Sequence, residues 1–156
     1  MKSRMTIEYG IKKWRLPNGK LHREDGPAIE FDDGGKYWYI NNKKHREDGP
    51  AAELRNGDKL WFLNGKKHRE NGPAVEYANG TKKWYVNGKK HRENGPAVET
   101  INDNKEWWLN DNRHREDGPA VEINNGHKEW WINYIEYTEQ EYKLKMRDTK
   151  LKKLLA

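Results

Sequence analysis

Residues 84–106 read WYVNGKKHRENGPAVETINDNKE, and this phrase recurs along most of the chain with a step of 23 residues. His22, His45, His68, His91 and His114 keep that step and open HREDGPAIE, HREDGPAAE, HRENGPAVE, HRENGPAVE and HREDGPAVE. Trp38, Trp61, Trp84, Trp107 and Trp130 keep it as well, whereas Trp14 falls out of phase by one residue. The array extends from about Thr6 to about Asn133, which gives five to six repeats. Such a period marks a repeat architecture, in which one small motif cannot bury its apolar side alone and stacks on its neighbours.

Punctuation within the repeat selects strands over helices. Of the 14 glycines, 12 directly follow Asn or Asp, as in Asn64-Gly65 and Asp117-Gly118. These dipeptides favour the positive φ of tight hairpin turns. Between them lie alternating runs of about six residues, such as GPAVEY and TKKWYV, which read as strands and leave no room for an ordinary helix. Gly-Pro, at 26–27 and in each later repeat, begins a strand where no ladder donor is required.

Alternation predicts two faces. Val75 and Tyr77 point one way, with Ile29/Phe31, Ala52/Leu54 and Val121/Ile123 as their equivalents. Joined to Trp38/Ile40, Trp61/Leu63, Trp84/Val86, Trp107/Leu109 and Trp130/Ile132, they form the predicted apolar face. The opposite face is expected to carry Glu30, Glu53, Glu76, Glu99 and Glu122 and a second aromatic column, Tyr39, Phe62, Tyr85, Trp108 and Trp131. Interface hot spots favour Trp and Tyr, so this column is the candidate partner-binding strip. Its rings should lie within reach of one another. Trp108 and Trp131 would anchor the partner, while Glu76, Glu99 and Glu122 select basic side chains at the rim. The alternative is that curvature of the array covers both faces.

The order Trp-x-x-Asn-Gly-Lys-Lys-His, then Gly, an apolar strand and Asn-Gly, resembles the MORN repeat in its bacterial and viral variant form. The resemblance covers about four-fifths of the chain, and it departs from the common repeat at HRENGPA. It implies an all-β fold, an elongated array of antiparallel β-hairpins used for protein interaction and scaffolding; lipid binding has been proposed for some such arrays. Repeats with HRxDGPA look like those of phages and large DNA viruses. That implies a binding surface rather than a reaction, for instance a viral inhibitor or adaptor that occupies a host defence protein. A purely structural assembly role is the remaining alternative of this kind.

Residues 1–137 are therefore read as the array and 138–156 as a separate C-terminal helix. Thr138 and Glu141 make a capping box, and no Gly or Pro follows, so a helix is expected from about Glu139 to about Leu155. Leu144, Leu151 and Leu155 fall near one face, and Tyr142 and Met146 add a partial second stripe. Lys143, Lys145, Arg147, Lys150, Lys152 and Lys153 make the tail basic. It reads as a cap over the open end of the last hairpin. The alternative is a basic helix that binds nucleic acid, anionic lipid or a partner groove.

Composition bounds the rest. Only 33% of the chain is apolar and 36% is charged, yet 18 aromatics (eight Trp, eight Tyr, two Phe) argue for a folded chain with a thin core. No apolar run approaches the ~20 residues that cross a bilayer, and the start lacks a signal-peptide stretch, so a cytoplasmic protein is expected. There is no cysteine, so neither a disulfide framework nor a thiolate metal site is available. His45 and Asp48 have the spacing of a metal or acid–base pair, but the constellation recurs five times, twice with Asn71 or Asn94 for Asp. A turn tolerates that exchange, whereas a ligand or base does not. No enzyme, metal or cofactor is expected. Aromatics interleaved with lysine, as in KKWYVNGKK at 82–90, also fit single-stranded nucleic acid. Glutamates on the same face count against that reading.

Overall fold

The computed structural model describes residues 2–155. They divide into two compact units, Met1–Lys89 and Lys90–Ala156. The chain is antiparallel β-hairpin throughout until a single C-terminal helix.

In the first unit, β1 (Arg4–Glu8) and β2 (Ile11–Arg15) form a hairpin. They are followed by β3 (Ile29–Glu30), β4 (Lys36–Tyr37), β5 (Tyr39–Ile40), β6 (Lys43–Lys44), β7 (Ala52–Glu53) and β8 (Lys59–Leu60). Then come β9 (Phe62–Leu63), β10 (Lys66–Lys67), β11 (Val75–Glu76), β12 (Lys82–Lys83) and β13 (Tyr85–Val86), with β14 (Lys89–Lys90) at the boundary. The sheet runs β1-β2-β3-β4-β7-β8-β11-β12. Beside it, β5–β6 and β9–β10 form separate two-residue ladders.

The second strand of a repeat thus breaks at Trp38, Trp61 and Trp84, whereas β2 runs unbroken through Trp14. Trp38 stands between β4 and β5, and Trp61 between β8 and β9. The backbone N–H groups of Trp38 and Trp61 donate to Ala51 and Ala74 at 2.9 Å, while their carbonyls accept from His45 and His68 at 3.2 Å. One residue therefore ties the sheet to the loop that opens the next repeat, and no backbone group is left over.

Two turn types follow from the punctuation. Asn64 and Gly65 have φ of 50° and 83°, and Asn87 and Gly88 have 51° and 89°. Both central residues are left-handed, as a type I′ hairpin demands. Asn41 and Asn42 do the same at 50° and 66°. The wider turn carries Gly57 at φ 90° and is closed by Gly57 N–H to Leu54 and Leu54 N–H to Asp58, each 2.9 Å.

The Asp-Gly or Asn-Gly of the HRxxGPA phrase behaves differently. Asp25, Asp48 and Asn71 are not left-handed, so the expectation of a third hairpin turn fails there. A Cβ on Gly26, Gly49 or Gly72 would lie 2.9, 2.8 or 3.1 Å from the guanidinium carbon of Arg23, Arg46 or Arg69. Glycine is needed here mainly because an arginine lies flat against the backbone.

Register corrects the predicted faces. Val75 stands opposite Leu60 and Lys83, and Glu76 opposite Lys59 and Lys82. Opposed residues share a face, so Val75 goes with Lys83 and, two residues on, with Tyr85. Glu76 and Ala74 go with Trp84. The valine column therefore shares its side with the second aromatic column, and the glutamates share theirs with the first. The buried centre is small: Ala28, Ala51 and Ala74 have no exposed surface, and Ala52 and Val75 have 1%. Both ring columns are half-buried, so the first tryptophan column is not the core that alternation suggested.

In the second unit, β15 (Val98–Glu99), β16 (Lys105–Glu106), β19 (Val121–Glu122), β20 (Lys128–Ile132) and β21 (Ile135–Tyr137) form the sheet in that order. The side ladder pairs β17 (Trp108–Leu109) with β18 (Asn112–Arg113). Ala97, Val98, Ala120, Val121, Ile132 and Tyr142 are buried. The helix α1 runs Glu139–Leu154, with the Thr138–Glu141 capping box in place. It docks by Tyr142, whose hydroxyl donates to the Arg115 carbonyl at 3.2 Å, and by half-buried Met146 and Thr149. Leu144, Leu151 and Leu155 lie on the opposite side of the helix, exposed at 51%, 50% and 87%. The leucine stripe is thus not the docking face.

Candidate functional site

Each repeat holds an interlock that fixes where the remaining side chains stand. Arg23, Arg46 and Arg69 stack on Trp14, Trp38 and Trp61 with 4.0, 4.2 and 3.9 Å from guanidinium carbon to ring centroid. Arg115 stacks on Trp107 at 3.8 Å in the second unit. Partly desolvated cation–π contacts of this kind are worth about 0.5–2 kcal/mol each. The same guanidinium donates to the proline carbonyl four residues on and to the glutamate seven residues on. For Arg69 these are Pro73 at 3.1 Å and Glu76 at 2.7 Å.

Histidine completes the arrangement. Nδ1 of His22, His45 and His68 accepts the backbone N–H of Asn41, Asn64 and Asn87 at 3.1–3.2 Å. His91 and His114 do the same for Asn110 and Asn133 at 3.3 Å. The imidazole thus holds the type I′ turn of its own repeat. Its other nitrogen faces the glutamate two residues on, 3.4 Å away for His22 and Glu24. The residue three on serves arginine instead: Asp25, Asp48 and Asp117 accept from Arg Nε at 2.9, 2.9 and 2.7 Å. Among the described residues no three His, Asp or Glu side chains gather as a metal would need.

These bonds reassign the predicted rim. Glu76, Glu99 and Glu122 accept from Arg69, Arg92 and Arg115 at 2.7, 2.6 and 2.8 Å. They also stand opposite lysines in register: Lys59 and Lys82 for Glu76, Lys105 for Glu99, and Lys105 and Lys128 for Glu122. They belong to the internal interlock and do not flank the second aromatic column.

That column is interleaved with cations. In the first unit Lys44 Nζ lies 4.9 Å from the Tyr37 ring and 5.2 Å from that of Phe62, and Lys67 Nζ lies 5.0 Å from Tyr85. Tyr39 stands opposite Lys44 in its ladder, and Phe62 opposite Lys67. The sequence along the strip is Tyr39, Lys44, Phe62, Lys67, Tyr85, so a cation separates successive rings. Burial, with the charge of Lys67 added, pulls the Lys44 ammonium below its ordinary pKa.

In the second unit Lys90 lies 4.1 Å from the Trp108 ring, and Arg113 stands 5.4 Å from both Trp108 and Trp131. The indole N–H groups donate to Glu106 and Glu129 at 2.8 Å, and Arg113 donates to Glu129 at 2.7 Å. The carboxylates that do flank this column are therefore Glu106 and Glu129. The sequence shows lysines interleaved with the aromatics, but not that they stand between the rings of this column. Their signal is the basic residue that precedes the repeat histidine at 44, 67, 90 and 113.

On the helix, Lys143 pairs with Glu139 at 2.7 Å, Lys153 reaches Glu116 at 4.0 Å, and Lys145 lies 5.3 Å from the Tyr137 ring. Arg147 pairs with its neighbour Asp148, while Lys150 and Lys152 are exposed. No helix among the described residues is long and apolar enough to cross a membrane. No protein-family model matches the chain, and no curated protein matches it.

Proposed function

We propose that this chain is a non-enzymatic protein-binding repeat module that acts by occupying a partner, as a stoichiometric inhibitor or adaptor. The observation that supports it is the second aromatic column. Flat, half-buried rings alternate with cations on a side from which the repeat's own glutamates are drawn away by arginine. Large rings held rigidly beside charge are the make-up of interface anchors. The repeated histidine, arginine and carboxylate groups are each engaged in holding turns and strands, which argues against catalysis.

The test compares capture of partners by the parent with capture by Phe62→Ala, Trp131→Ala and a chain lacking residues 138–156, each shown to melt cooperatively. Loss of the same partner by the ring variants, with capture kept by the shortened chain, is the expected result. Undiminished capture by both ring variants, together with loss in the shortened chain, would move the site to the helix. One observation favours that second reading: Leu144, Leu151 and Leu155 face outward beside Arg147, Lys150 and Lys152. A basic amphipathic surface of this sort suits an acidic partner groove, nucleic acid or anionic lipid.

A further inference from the structure

We infer that the strip Tyr39–Lys44–Phe62–Lys67–Tyr85 of the first unit recognises an acidic peptide in polyproline II conformation, with a carboxylate at every third residue. The inference rests on the protein-binding reading and names the chemistry of the partner.

Spacing is the first ground. Each repeat contributes two strands to the sheet, as β7 and β8 or β11 and β12 do. Neighbouring strands stand about 4.7–4.9 Å apart, so the step between equivalent residues is about 9.5 Å. A polyproline II helix has three residues per turn and a rise of about 3.1 Å, which repeats every ~9.3 Å. A side chain at every third position therefore keeps pace with Lys44 and Lys67. An extended strand repeats a face every ~6.8 Å and falls out of step at once.

Charge is the second ground. Among the described residues Lys44 has no carboxylate within ion-pair distance, and the sheet's Glu53 and Glu76 are held on the other side by Arg46 and Arg69. Lys44 is partly desolvated and already repelled by Lys67. A carboxylate brought to that point offsets the repulsion and gives the partly desolvated ammonium a counter-charge. The third ground is shape: Tyr39, Phe62 and Tyr85 offer rings between the cations, and proline rings pack on aromatic surfaces in known recognition of polyproline segments. The free peptide already populates the bound conformation, so little ordering entropy opposes binding.

The probe is a synthetic peptide of Pro-Pro-Glu repeats about 15 residues long, titrated into the full chain by calorimetry. A peptide of identical composition with its glutamates clustered, and an oligothymidylate of similar charge, are the comparators. The expected result is saturable binding of the periodic peptide at least about tenfold tighter than the clustered one. Lys44→Gln and Lys67→Gln should weaken it at least about fivefold with melting unchanged, while Lys150→Gln on the helix should not. Equal binding of the two peptides, or no binding of either, overturns the inference, as does oligothymidylate bound in preference and lost on Lys44→Gln. If the peptides fail while the ring variants still lose their captured partner, the protein-binding reading stands and only the acidic polyproline partner is wrong.

Discussion

At the scale of single residues the fold turns on a glycine and an arginine that exclude any third atom. A Cβ on Gly49 would sit 2.8 Å from the Arg46 guanidinium carbon, so Gly49→Ala must lift that guanidinium off Trp38. We expect a loss of about 1–3 kcal/mol in chemical denaturation. In an Arg46→Ala background the same change should cost little, because the obstacle is gone; a double-mutant cycle reads the difference. Gly80→Ala is the contrast. Nothing lies within 4 Å, but φ is 88°, so its cost of about 1 kcal/mol comes from the backbone and should not depend on any neighbour.

Acidity acts through the same arginines. The hydrogen bond from Arg46 holds the Asp48 carboxyl below its ordinary value, and Arg23 does so for Asp25. A carboxyl lowered on folding adds stability above its unfolded pKa, and this is lost as pH falls through the lower folded value. The melting temperature of the parent should therefore drop below about pH 4. The double variant Asp25→Asn, Asp48→Asn should show a shallower drop over that window, measured by melting between neutral and strongly acid pH. Asn71 and Asn94, native at this position, show that the neutral side chain fits.

Among the elements, the helix was the most legible. Its capping box and its span, Glu139–Leu154, follow from Thr138, Glu141 and the absence of breakers. Thr138→Ala should cost about 1 kcal/mol and speed amide exchange along 139–154 while leaving the strands protected. The docking face was not legible. Helical spacing groups Leu144 with Leu151 and Leu155, and also Tyr142 with Met146 and Thr149; composition favours the leucines, but Tyr142 is the one that finds a carbonyl to bond. The strand faces failed for a related reason. Alternation holds within each strand, but joining the two strands requires a register, and Val75 opposite Lys83 cannot be read from either strand alone. The break at Trp38, Trp61, Trp84 and Trp107 hid a second fact: β4 and β5 are two short strands in different ladders, where TKKWYV and its equivalents look like one, while β20 does run through Trp130.

For the molecule as a whole, identical repeats predict tolerance of losing one. Residues 45–67 form a complete period, and their removal joins Lys44 to His68 in the local sequence that Lys67 and His68 already have. Every interlock can then be remade, because each repeat carries the arginine for the tryptophan before it. The shortened chain should fold with the same strand signature. Its m-value should be smaller in proportion to the surface removed, and its midpoint lower, since fewer interfaces oppose chain entropy. Loss of cooperative unfolding would show that the repeats are not interchangeable.

The two asparagines of the arginine loop give the chain a chemical clock. Asn-Gly bonds age when the glycine nitrogen attacks the asparagine side-chain carbonyl and expels ammonia, closing a succinimide that water then opens to aspartate or isoaspartate. In the hairpin turns that nitrogen is occupied, as where Gly65 donates to Lys44 and Gly88 to Lys67 at 2.8 Å. The nitrogens of Gly72 and Gly95 have no such bond among the described residues. We expect deamidation to appear first at Asn71 and Asn94, and peptide mapping by mass spectrometry after prolonged incubation checks it. Where deamidation yields aspartate, the product is the residue that Asp25, Asp48 and Asp117 already supply in the sister repeats.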